Sequence, residues 1–426
     1  MKHMVRVRWM MSIVMLLLLG GIVVAAPAGD RRRIIVFHEG ILVDVQQRVV
    51  ALPGIKVLHI LSLVNALAIE LPALGTEQVV AILRALPVVE RVEDDPLIEI
   101  QGAGSDGGFV TPSADPAREF YPWGIDWIGA ADAQEQNPWL TGNGIKVALI
   151  DTGIDPTHPD LRRNVIGGYN AMAGQDPRNW RDDNGHGTHV AGTVAARIDQ
   201  HGVIGVTPHL RIYALKALDR DGKGRTSDVI NALQQVPRDV RIIAGSFGTD
   251  LVWPSFEKAI YSMYRSGKLM VFSVGNRCAP NGAQGAGSDG AGSDASCSTT
   301  PSDIKFPARY PWVIAVGASD TDDQVPTFSR SGAAMEAHGV VAPGVNIFST
   351  NLGGGYGWMS GTSGSTPHVT GAIALACQLQ PGLSYEEVLT LLRETSEDLR
   401  YPREYQGAGR INVEKLVNML MHKQHQ

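Results

Sequence analysis

The chain has 426 residues, 44 % hydrophobic and 19 % charged, with a formal net charge of -6. These are ordinary values for a soluble globular protein of one large domain, or of a large and a small one. The weakly acidic balance gives no electrostatic footprint for nucleic acid or an anionic membrane surface, and neither is expected as a partner.

The first element is a leader. Lys2, His3, Arg6 and Arg8 precede the apolar run Trp9–Ala26, and the small residues Ala25-Ala26-Pro27-Ala28 follow. A basic start, an apolar middle and a small-residue end predict a secretory signal peptide over residues 1–28, cut after Ala26 or Ala28. The alternative is an uncleaved anchor, because the run approaches spanning length. No later stretch is apolar enough to cross a bilayer, so a secreted, extracellular protein without a stable membrane anchor is expected.

Residues 29–101 have the pattern of a small α+β domain. Ile34–Phe37, Leu42–Val45 and Val88–Glu93 are predicted strands. Thr76–Leu86 has helical spacing, with Val79, Val80, Ile82, Leu83 and Leu86 apolar. Residues 102–118, rich in Gly, Ser, Asp and Pro, form a predicted flexible linker. The similar tracts Gln101–Asp106 and Gln284–Asp289 are low-complexity loops rather than a structural repeat.

From residue 119 to residue 426 the pattern changes. Val147–Ile150, Ile212–Leu215, Ile242–Ala244 and Leu269–Phe272 are short apolar runs, and helical stretches such as Gly187–Arg197 and Ser227–Gln235 lie between them. Buried strands alternating with helices predict an α/β fold, a mostly parallel sheet with helices on both faces. Ligands of such sheets bind at the carboxyl ends of the strands. All three cysteines lie beyond the leader. Cys377 ends an apolar run and is expected in the core, while Cys278 and Cys297 bracket a Gly/Ala/Ser/Asp-rich loop. In an exported chain that pair is expected to bridge, the alternative being two thiols in a disordered insertion.

Three remote segments carry the chemistry. Asp151 opens Asp151-Thr-Gly-Ile-Asp155, His186 opens His186-Gly-Thr-His-Val-Ala-Gly192, and Ser363 lies in Gly361-Thr-Ser-Gly-Ser-Thr-Pro-His368. A serine hydroxyl becomes nucleophilic when a base takes its proton, and the base needs an acid to orient it. Singly, each residue has a plainer reading: a turn aspartate, a structural histidine, a helix N-cap serine. Together and in the order Asp, His, Ser they resemble the signature segments of the subtilisin-like serine proteases. Further stretches resemble that family too: His158-Pro-Asp-Leu161, Phe306-Pro-Ala308, Ile314-Ala-Val-Gly-Ala318 and Ala342-Pro-Gly-Val345. The likeness runs from about Glu119 to Asn412.

The resemblance implies a serine endopeptidase acting on polypeptides through an acyl-enzyme, with Asp151, His186 and Ser363 as the triad. It also implies that Asn276, in Val274-Gly-Asn276, donates to the oxyanion, and that no cofactor takes part in the chemistry. Substrate would lie as a strand between Gly222-Lys223-Gly224 and Ser246-Phe247-Gly248. Arg277 falls near the rim of the primary pocket, where it would favour neutral or acidic side chains; a solvated surface arginine is the alternative. A structural calcium ion is implied, held by Glu119, Asp160 and Asp199 together with backbone carbonyls of Arg197, His201 and Val203. Residues 29–101 resemble the family's inhibitory propeptide, which acts as intramolecular chaperone and inhibitor; a permanent regulatory domain is the other reading. Self-cleavage would follow Gln101, with Ile98 in a deep apolar pocket, and the mature protein, expected to be a monomer, would begin near Glu119. One departure is Gly364-Ser365, where the family usually carries Met then Ala. It is the only support for a second class, a non-catalytic peptide-binding relative.

Overall fold

Four antiparallel strands build the first of two units. The computed structural model describes residues 30–100, 118–277 and 304–424, and the chain divides between Asp95 and Pro96. Strands β1 (Arg32–Phe37), β2 (Lys56–Leu61), β3 (Ala66–Glu70) and β4 (Val89–Asp94) take the order β2-β3-β1-β4. Helices α1 (Val43–Val49) and α2 (Thr76–Arg84) complete the unit. Ile35 and Phe37 share a core with Leu67, Ile69, Val79, Val80 and Leu83. The α+β class is the one expected, with one correction: Leu42–Val45 begins a helix, not a strand. A short apolar run does not declare its period. Here an Asp44–Arg48 ion pair at helical spacing and the buried pair Gln46 and Val49 favour the helix. Gln46 Nε2 also donates to Ile41 O and to Asn65 Oδ1, tying the helix to the β2–β3 turn.

In the second unit seven parallel strands take the order β14-β13-β12-β10-β6-β8-β7. They are β6 (Lys146–Asp151), β7 (Val165–Asn170), β8 (Arg211–Lys216), β10 (Ile242–Gly245), β12 (Leu269–Ser273), β13 (Ile314–Ser319) and β14 (Gly339–Pro343). Every residue of β10, β12, β13 and β14 is buried, which is why their sequences are continuously apolar instead of alternating. A separate sheet of order β11-β5-β9 joins β5 (Leu97–Ile100), β9 (Lys223–Arg225) and β11 (Phe247–Gly248). Strands β15 (Ile347–Thr350) and β16 (Tyr356–Met359) form a hairpin. Among the described residues no helix is long and apolar enough to cross a membrane.

Two helices position the chemistry. Helix α3 (His186–Ala195) is buried at all its residues. Helix α4 (Thr362–Leu379) is buried along nearly its whole length and packs on α3 and on the sheet. An apolar surface on every side marks a helix at the centre of a domain. Small residues let it sit close: a Cβ on Gly371 would lie 2.4 Å from Val206 Cβ. Cys377 packs in this core as expected, its thiol pushed up to about 11 by burial. Cys278 and Cys297, the leader, and the linker up to residue 117 lie outside the described residues.

Candidate active site

The sheet reverses its winding at β6: β8 and β7 lie to one side, β10 and the later strands to the other. At such a point the loops leaving neighbouring carboxyl ends part and open a crevice. Asp151 is the last residue of β6, Ser246 follows β10 directly, and Asn276 lies just past β12. The N-termini of α3 and α4 bring His186 and Ser363 into the buried interior of the same unit.

His186 Nδ1 lies 2.7 Å from Asp151 Oδ1. A carboxylate only accepts, so the proton sits on Nδ1 and Nε2 presents its lone pair. Asp151 Oδ1 also accepts from Thr152 N at 2.7 Å. Asp151 Oδ2 and His186 Nε2 are buried and have no hydrogen-bond partner among the described residues. The close approach of the two loops depends on glycine. A Cβ on Gly187 would stand 2.0 Å from Gly153 O and 3.1 Å from Asp151 Oδ1.

Ser363 Oγ donates to Ser246 O at 3.2 Å, and Ser246 Oγ donates to Ser363 O at 3.4 Å. In this structure the serine is therefore not hydrogen-bonded to His186. Ser363 O is available to Ser246 because Pro367, four residues on, has no N–H to give it. The backbone N–H of Ser363 belongs to the first turn of α4, where N–H groups have no partner within the helix. Asn276 Oδ1 accepts from Thr362 N at 3.1 Å and from Thr362 Oγ1 at 3.0 Å. With its oxygen held there, the side chain is oriented and its NH₂ is the donor end. At Gly364 a Cβ would lie 3.0 Å from Ile347 Cγ1, a tight contact that Ile347 would have to ease by a few tenths of an ångström.

Two residues outside the sequence-derived set hold the pair in place. Asp182 binds both loops: Oδ1 accepts from Thr152 Oγ1, Asn184 N and Gly185 N, and Oδ2 from Thr188 N and Oγ1. Lys216, opposite Asp151 in the β6–β8 register, is buried and donates to Thr152 O, Leu218 O and Asp183 Oδ1. A turn-forming Asp ahead of a helix, and a lysine closing the apolar run Ile212–Leu215, were the only sequence signals of these roles.

The two segments expected to flank a substrate do flank a strand. Leu97, Ile98 and Glu99 pair antiparallel with Arg225, Gly224 and Lys223, while Ile100 and Glu99 pair with Phe247 and Gly248. Ile100 N donates to Gly222 O at 3.0 Å. Ile98 is fully buried. Gly222 has φ +71° and lies against Ile100, 2.7 Å from where its Cβ would be. Gly224 instead packs on its own turn, its Cβ position 2.1 Å from Ala217 O. Arg277 is half-buried, not a solvated surface group: its N–H donates to Phe328 O at 2.6 Å and Nη2 to Ser331 Oγ at 2.5 Å.

The expected calcium loop folds around residues 119–120. Glu119 Oε1 accepts from Asp199 N at 2.5 Å and Gln200 N at 3.0 Å, and Ile204 N donates to Phe120 O. Asp160 is buried, with Oδ2 accepting from Val203 N and the Tyr356 hydroxyl donating to both its oxygens. Burial pushes its carboxyl up to about 6; hydrogen bonds from Val203 and Tyr356 oppose this, and Asp199 and Glu119 add to it. Asp199 Oδ1 is buried without a hydrogen-bond partner among the described residues. Gly202, at φ +71°, lets the loop pass where a Cβ would be 2.3 Å from Asp160 Oδ2. Among the described residues no three acidic, histidine or cysteine side chains converge closely enough to hold a metal by themselves. A hard cation here would depend on backbone carbonyls as well, which is the composition of the expected set.

A parallel α/β sheet with an Asp–His pair at a strand end and a serine on the central helix defines a serine hydrolase of the peptidase kind. Residues 142–409 match the subtilase family, Peptidase S8, and the chain belongs to that family as a subtilisin-like serine endopeptidase. It is 39 % identical over 294 residues to subtilisin BL of Lederbergia lenta, covering 69 % of this chain and 97 % of the relative. An alkaline protease of Alkalihalobacillus alcalophilus is 36 % identical over 361 residues, 84 % of this chain and 81 % of its own. Alkaline elastase YaB of a Bacillus species is 37 % identical over 294 residues, 69 % of each chain.

Proposed function

We propose that the chain is a secreted, autoprocessed endopeptidase in which Ser363 is the nucleophile, His186 the base and Asp151 its orienting acid. The observation that carries this reading is the strand β5 lying between β9 and β11. A protease binds a peptide by adding it as a strand, and here the chain's own Leu97–Ile100 takes that place. Its carboxyl end runs toward Ser246, whose carbonyl holds Ser363 Oγ.

In the reaction, Ser363 Oγ turns from Ser246 O toward the lone pair of His186 Nε2 and attacks the peptide carbonyl as the proton moves to the imidazole. Catalytic hydrogen bonds of this sort often form only once substrate is aligned. Asp151 stabilises the imidazolium, and the N–H of Ser363 and the Asn276 amide receive the oxyanion, each donor contributing roughly 3 kcal/mol. His186 then protonates the leaving amine, and water repeats the steps on the acyl-enzyme.

Residues 29–101 act as propeptide, cut after Gln101 and released through the linker, and residues 1–28 direct export. The mature form is a monomer beginning near Glu119. A calcium ion fits the 197–203 loop: side-chain oxygens of Glu119, Asp160 and Asp199 and carbonyls of Arg197, His201 and Val203 would hold it. It would balance three carboxylates and brace the mature N-terminus without entering the chemistry. The Cys278–Cys297 bridge belongs to the same picture of an exported protein. Arg277 disfavours a basic residue just before the scissile bond, and a peptide library selecting Lys or Arg there would refute that. Casein hydrolysis and N-terminal sequencing of wild type and Ser363→Ala test the core of the proposal. The variant should lose at least about a thousandfold in kcat and keep its N-terminal unit attached. A Ser363→Ala protein that still processes itself would defeat it.

A further inference from the structure

Neighbouring residues of a strand face opposite ways. In β5 Ile98 is buried, while Leu97 and Glu99 are exposed. Glu99 has one cation in contact and a second on the far side of its other register partner. Directly across one register pair is Lys223, whose Nζ stands 3.7 Å from Glu99 Oε1. Directly across the other is Gly248, and Lys305 packs behind it, 2.7 Å from the position a Gly248 Cβ would take.

Among the described residues, Lys223 Nζ pairs with Glu99 and Lys305 Nζ with Asp250. Lys305 Nζ is 3.8 Å from Asp250, but Arg330 already engages that carboxylate at 2.9 Å. Lys305 and Arg330 thus both approach Asp250, and the Lys305 stem lies against the backbone of Gly248, across the register from Glu99. Beside Lys223, Asp219 Oδ1 is occupied by the backbone N–H groups of Asp221 and Lys223.

The geometry points to Lys223 and Lys305 as specificity-determining residues that select Glu or Asp at the substrate position Glu99 occupies, the third before the scissile bond when cleavage follows Gln101. This rests on the proposed reading of β5 as a substrate-like strand. Both Glu99 and Lys223 are about half exposed, so screening limits the preference to about two- to fivefold in kcat/KM. A lysine at that position meets like charge and is the poorest substrate.

The test uses enzyme produced from the full-length chain, titrated with a fluorophosphonate that labels Ser363. Three peptides differ only in carrying Glu, Gln or Lys at the third position before the cut, with mass spectrometry fixing the bond cleaved. The expected order of kcat/KM is Glu, Gln, Lys, with the spread shrinking in 1 M salt as screening shortens to about 3 Å. Lys223→Glu should invert the order of the Glu and Lys peptides. Lys305→Met, which keeps the packing on Gly248, should narrow the spread. Equal rates, or a spread indifferent to salt and to both variants, overturn the inference while leaving the protease intact. No hydrolysis of any peptide together with no label on Ser363 defeats both the inference and the reading of the site beneath it.

Discussion

Asp182 and Asp199 each sit at a turn in the second unit, yet their carboxylates meet different surroundings. Asp182 is saturated by protein donors, which come from Thr152, Asn184, Gly185 and Thr188. Asp199 has a buried oxygen with no hydrogen-bond partner among the described residues, and its neighbour Asp160 is pushed up to about 6, chiefly by burial. A satisfied network needs nothing from outside and fixes geometry. Carboxylates gathered with too few donors call for an external charge. The difference separates a loop frame closed by protein donors from one in which a buried carboxylate oxygen meets no donor among the described residues.

The sharpest way to break the first region is Gly187→Ala. The added methyl would collide with Gly153 O and part the Asp151 and His186 loops. A misplacement near 1 Å costs about a hundredfold, so kcat/KM for a peptide should fall at least that far; an unchanged rate would show that the contact does not set the pair's geometry. Asp182→Asn should cost about tenfold through the same loops, since an amide brings donors to face donors. Added calcium should not restore it, and a calcium rescue would erase the distinction drawn here.

In the second region, removing calcium with a chelator should lower Tm by about 5–10 °C. Asp199→Ala should lose that response, whereas Asp182→Asn should keep it. A wild-type Tm blind to chelator would count against the proposed ion.

Acid acts on stability instead of on the reaction. Burial holds the His189 imidazole at about 3 and that of His368 at about 4, against 6.5 ordinarily. Between those values the unfolded chain binds protons that the folded chain refuses. Their contribution is therefore whole above pH 6.5 and declines as pH falls through 6.5 toward 4. Urea titrations at pH 7, 6 and 5 should show midpoints falling in that order, and a flat series would contradict it.

Some of this was legible from residue order and some was not. Asp151, His186 and Ser363 announce themselves because each sits among glycines and small residues that a crowded loop or helix start requires. The parallel sheet was visible because strands buried on both sides are written as unbroken apolar runs. Asp182 was not, because an Asp ahead of a helix looks like an ordinary cap and its span to Thr152 exists only after folding. Helix α1 was misjudged because Leu42–Val45 is too short to show a period. The three-stranded sheet of β5, β9 and β11 unites segments remote in sequence, and Gly224 serves its own turn while Gly222 meets the strand, a distinction that spacing alone does not carry.

The glycine after Ser363 has a chemical consequence. Where the family usually carries methionine, this chain has no side chain, and Ile347 lies close by. A thioether beside the reactive hydroxyl would turn into a bulky, polar sulfoxide under peroxide. At position 364 there is no sulfur to oxidise, so the residue next to the proposed nucleophile is inert to bleaching agents.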